Sequence, residues 1–76
     1  MPPRHLAEPE RQYLIEVQRK TDTSWLWLLT CDRRVQAVDI MTGYYARHYP
    51  DRTLRVRARG STEVIARHNP GVGLEL

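Results

Sequence analysis

From Gln12 to Lys20 (QYLIEVQRK) apolar and polar residues alternate, with Tyr13, Ile15 and Val17 on one side and Glu16, Gln18 and Lys20 on the other. This period of two predicts a half-buried strand. Thr21-Asp22-Thr23-Ser24 is a polar turn, and Trp25 to Thr30 (WLWLLT) reads as a second strand closing a hairpin. Past Cys31 the period changes. Val35, Val38, Met41, Thr42, Tyr45, Ala46 and Tyr49 fall on one arc of a helical wheel, with Gln36, Asp39, Gly43 and Arg47 opposite. That pattern predicts an amphipathic helix from about Arg33 to His48, capped by the Asp32 carboxylate and ended by Pro50. Alternation then returns, Leu54, Val56 and Ala58 facing one way and Arg55, Arg57 and Arg59 the other. Gly60-Ser61 marks a tight turn. Thr62 to His68 gives a fourth strand, with Val64 and Ala66 inward, stopped by Asn69-Pro70-Gly71.

The expected fold is therefore α+β, a ββαββ chain whose four strands form an antiparallel sheet in the order 2-1-3-4, with one helix on one face. Residues 1–11, proline-rich and without periodicity, are expected to be a disordered lead-in; 12–69 form the single domain, and 70–76 a loose tail. No element remains for the second face of the sheet. Strand two is apolar on both sides, so a one-residue slip would exchange its faces. Pairing Ile15 with Leu29 and Val17 with Trp27, with a loop from Lys20 to Ser24, turns Trp25, Trp27 and Cys31 inward. Leu14, Leu26, Leu28 and Ile65 then lie on the uncovered face among Glu16, Arg55, Arg57, Arg59 and Arg67. Apolar residues ringed by arginines make this face the candidate partner-binding surface.

The chain's 76 residues bound the core: a domain this small gains from a disulfide, a metal or a second copy of itself. Cys31 is the only cysteine, so no disulfide forms within the chain, and a homodimer is one expected source of stability. The longest apolar run, Trp25 to Leu29, is too short for a membrane span. With no leader pattern in Met1 to Gln12, a cytoplasmic protein is expected. The net charge is +3, and eleven of the twelve basic residues are arginine, the side chain suited to carboxylate and phosphate.

His5, His48 and His68 have no metal-ligand spacing, no glycine-rich loop precedes the helix, and Ser24 and Ser61 occupy turns without a base nearby in sequence. Neither an enzyme nor a cofactor is expected. The expected function is non-catalytic docking on another protein through the uncovered face or an edge strand. The alternative is nucleic-acid binding by Arg55, Arg57 and Arg59, spaced about 7 Å apart along a strand. Sheet-face binders of RNA stack bases on exposed rings, so this alternative gains if Trp25 and Trp27 face solvent. The layout resembles that of many small bacterial and phage proteins, anti-CRISPR inhibitors among them. This resemblance of layout implies inhibition by protein contact and carries no site residues.

Overall fold

A computed structural model describes residues 11–76; the expected lead-in, apart from Arg11, lies outside the described residues. The elements are β1 (Tyr13–Gln18), β2 (Trp25–Cys31), helix α1 (Arg34–Ile40), a π-helical turn (Met41–Tyr45), helix α2 (Ala46–His48), β3 (Leu54–Ala58), β4 (Val64–Asn69) and β5 (Gly73–Glu75). The strands form one antiparallel sheet in the order β2-β1-β3-β4-β5. The α+β class and the order of the first strands are as expected. The strand count is corrected from four to five. Gly71 takes a left-handed φ of 78° and the Val72 N–H bonds the Asn69 carbonyl at 3.1 Å, folding residues expected as a tail back along β4. Asn69 Nδ2 then donates to the Glu75 carboxylate at 3.0 Å across that hairpin.

The helical segment is continuous but not uniform. Arg33 is its N-cap and makes no side-chain cap; Asp32, expected there, accepts instead from Gln12 Nε2 at 3.4 Å. In the middle, the Thr42 hydroxyl donates to the Val38 carbonyl at 3.0 Å. A side chain competing for a backbone acceptor loosens the helical ladder, and here the ladder widens into the π turn that contains Gly43. The segment meets the sheet through fully buried Ala37 and Met41, flanked by half-buried Val38, Ile40, Tyr45, Ala46 and Tyr49. Val35, expected on this face, is 70% exposed. Ala37 lets the first turn approach the sheet closely and turns Val35 out. Against the helix lie Ile15 and Val17 of β1, Cys31 of β2, Leu54 and Val56 of β3 and Ala66 of β4, all buried.

The decisive local feature is in the first hairpin. Ile15 pairs with Leu29 as expected, but a bulge follows: Glu16 pairs with Trp27, Val17 with Leu26 and Gln18 with Trp25, leaving Leu28 without a partner. The turn sets this register. The Arg19 N–H bonds the Ser24 carbonyl at 2.8 Å, closing the loop one residue tighter than expected. Asp22 Oδ1 accepts from the Ser24 N–H at 3.1 Å and the Ser24 hydroxyl at 2.7 Å, and Thr23 is left-handed at φ 60°. Two registers, one fixed by the turn and one by Cys31 and Leu29 at the core, are reconciled by one extra residue. The expectation of inward tryptophans is thereby overturned: Trp25 and Trp27 lie on the face away from the helix. A second bulge pairs Arg57 with Val64, so Val64, expected inward, sits opposite the arginine and Ile65 is skipped.

Met41, 0% exposed, is the largest helix side chain in the core. Met41→Ala should lower unfolding free energy by about 2–5 kcal/mol, read by chemical denaturation. An unchanged midpoint would show that the helix does not pack through this residue.

Candidate docking surface

On the uncovered face the sequence places a carboxylate on β1 between cations on β3, and the register brings them into contact. Glu16 is only 5% exposed although no element among the described residues covers this side of the sheet. Arg55 Nε donates to Glu16 Oε1 at 2.7 Å, Arg57 Nε donates to the same oxygen at 2.9 Å, and Arg57 Nη2 donates to Oε2 at 3.1 Å. Arg57 Nη1 is taken by the Ser61 carbonyl at 2.8 Å. The Arg55 guanidinium lies 3.9 Å from the centre of the Trp25 ring, a cation–π contact that roofs the carboxylate. Burial alone would push the Glu16 carboxyl up, but hydrogen bonds from Arg57 and Arg55, together with their charges, hold it below the ordinary range.

The expected patch residues therefore separate. Leu14, opposite Arg57 and Thr30, belongs to the uncovered face with Arg55, Arg57 and exposed Arg67. Arg59, just beyond β3, bonds the Gln12 side chain. Leu28 and Ile65, skipped by the ladders at the two bulges, pack against the core cluster. Leu26 pairs with Val17 of the core row and is 38% exposed at the sheet margin. The tryptophans take the positions that the leucines were expected to hold. Trp27 is 62% exposed, with its indole Nε1 donating to Thr30 Oγ1 at 2.8 Å.

The backbone of β2 completes the surface. Arg19 bonds Ser24 across the hairpin, while the Gln18 N–H goes the other way, to the Thr53 carbonyl at 2.9 Å. Antiparallel ladders alternate such pairs, so Leu26 bonds inward to Val17. Trp25 and Trp27 direct their N–H and C=O groups to the free edge. Trp25–Cys31 contains no charged residue, proline or glycine. The other edge, β5, is three residues long and includes Gly73 and Glu75.

Sequence reasoning missed Trp25 and Trp27 as surface residues. The available signal was Asp22-Thr23-Ser24, a turn whose closure sets the parity of everything after it. Among the described residues, no group of three or more His, Cys, Asp and Glu could hold a metal ion, and no helix is long and apolar enough to cross a membrane. Burial, and then the neighbouring Asp32, push the Cys31 thiol up, against its use as a nucleophile. Comparison with protein-family models, with curated proteins and with solved structures gives no match.

Two outcomes check this geometry. Glu16→Gln should cost about 3–5 kcal/mol, because it strands two arginines around a neutral group. Its deficit relative to wild type is full above the ordinary glutamate range and should shrink as pH falls through the lowered pKa of Glu16, where the native carboxyl also becomes neutral. Equal acid dependence in both proteins would contradict the ion cluster. Separately, in a Trp25→Phe protein held dilute enough to be monomeric by sedimentation, Trp27 emission should be red-shifted and readily quenched by acrylamide. A blue-shifted, protected Trp27 would refute the bulged register.

Proposed function

We propose that this chain is a non-catalytic protein-docking module that receives a partner's strand on the free edge of β2. The observation that carries the reading is the conjunction at Trp25–Trp27: outward backbone donors and acceptors, exposed Leu26 and Trp27 side chains, and no charge. Natural sheets guard such edges with lysine, proline, short length or bulges. The bulge of β2 lies at Leu28, leaving the three residues before it extended. Strand addition draws affinity from main-chain bonds and specificity from alternate side-chain contacts, and this edge offers both.

A second reading has one observation in its favour: Trp25 and Trp27 share the open face with arginines, as in sheets that stack bases on aromatic rings. Part of the charge on that face is committed, however. Arg57 donates to Glu16 and Ser61, Arg55 to Glu16 beneath its contact with Trp25, and Arg59 to Gln12. These bonds pin the arginines without using all of their N–H groups; the conjunction of outward backbone and uncharged side chains makes the edge the better supported site.

The test exploits the direction of the backbone. Trp27→Pro removes an N–H that bonds nothing within the sheet and should leave the fold intact, while abolishing capture of the partner from a lysate of the source cell. Trp27→Ala, which keeps the N–H, should weaken capture without abolishing it. Capture that survives the proline but disappears with nuclease or with Arg67→Glu would replace this reading with the nucleic-acid one.

A further inference from the structure

Resting on the edge reading, we propose that the strand received by β2 is β2 of a second copy, paired antiparallel about a two-fold axis through Leu26. A two-fold normal to the sheet sets one residue of the strand opposite itself, and the geometry of β2 rejects the neighbouring choices. Centring on Leu28 would set Trp27, on the open face, against Leu29, on the core side, because the bulge breaks the parity between them. Centring on Trp27 would set Trp25 against Leu29 with the same conflict. Centring on Trp25 would draw in Thr23, which leaves the strand with φ 60°.

With Leu26 at the axis every face matches. Trp25 lies opposite Trp27 of the second copy on the open side, and the two Leu26 side chains meet on the core side. Trp25 and Trp27 are also the residues whose backbone groups point outward, so both of these cross pairs are hydrogen-bonded pairs while the Leu26 pair needs no bond. The ladder stops at the turn on one side and at the bulge on the other, a short seam that the flanking apolar side chains reinforce.

Charge favours a copy in this register too. The strand has no charged residue to repel its own image. Arg55, over the Trp25 ring, is bonded to Glu16 of its own chain rather than presented to the seam. The exposed Leu26 and Trp27 gain cover, which a chain of 76 residues with a small core is short of. Both helices would lie on the same side of one continuous sheet.

The test is a pair of opposite charges at the axis, followed by sedimentation equilibrium of the full chain over a wide concentration range. Wild type should rise twofold in mass with concentration, and the Trp25 and Trp27 amides should exchange more slowly in the dimer. Leu26→Lys and Leu26→Glu should each be monomeric with unchanged circular dichroism, and mixing the two should restore the twofold mass. Restoration is specific to a residue facing itself. A wild type that stays monomeric, or variants that remain dimeric, would overturn the proposal. So would loss of the dimer in both variants without rescue on mixing. Should either variant fail to fold, amide exchange in wild type decides: Trp25 and Trp27 amides indifferent to concentration overturn it. A monomer whose partner capture still depends on the Trp27 N–H would fail the self-pairing and spare the edge reading; a monomer without such capture fails both.

Discussion

Two constraints meet in β2, and one extra residue satisfies them both. At its end, Leu29 and Cys31 are committed to the core, opposite Ile15 and Tyr13. At its start, the bonds of Asp22 to Ser24 fix a turn that puts Leu26 rather than Trp27 opposite Val17. Strand side chains alternate with a period of two, so these demands are out of phase by one residue. The bulge at Leu28 absorbs that residue. Without it, the register set by the turn would carry Leu29 and Cys31 off the core row. The outward-facing tryptophans are thus the consequence of the turn that precedes them.

The same phase shift makes the second face of the sheet tenable. A buried carboxylate is costly unless charge and hydrogen bonds compensate it, and Glu16 has both because Arg55 and Arg57 flank it on β3. The Trp25 ring that supports Arg55 is available only because β2 is bulged. What looks in sequence like a row of free cations is, in three dimensions, partly a network: Glu16 ties Arg55 to Arg57, and Arg59 bonds Gln12. The two arginines that hold Glu16 are pinned by it, although the face keeps a net positive charge; the uncharged edge of β2 is the part of the surface suited to strand pairing.

The chain wrote its elements plainly. Alternation at Tyr13–Val17 and Leu54–Ala58, the helical arc around Met41 and the pairing of Ile15 with Leu29 could all be read because each is one period held over several residues. The errors fall where a period is interrupted. The bulges at Leu28 and Ile65 moved the inferred patch, since a single unpaired residue leaves no trace in a run that is apolar on both faces. Asp32 had the chemistry of an N-cap but a competing donor in Gln12. β5 was hidden because Gly73-Leu74-Glu75 has no strand propensity of note and is held by its turn and by β4. Of the candidate surface, Arg55, Arg57 and Arg67 lie on the face expected for them, while the tryptophans lie on the face opposite to the expected one.

Sheet edges carry the last step. β4 is covered by β5, a strand of three residues, whereas no strand among the described residues lies beyond β2, although it is the longest and most apolar one. If the exposed apolar residues were incidental, the outward backbone groups and the exposed side chains of β2 would have no reason to coincide. They do coincide, at Trp25–Trp27, and the bulge immediately after confines the available ladder to those residues. A short ladder gives few main-chain bonds, so discrimination among partner strands must come from side chains that match face for face. The register that does so without opposing unlike faces is the one in which the strand meets itself.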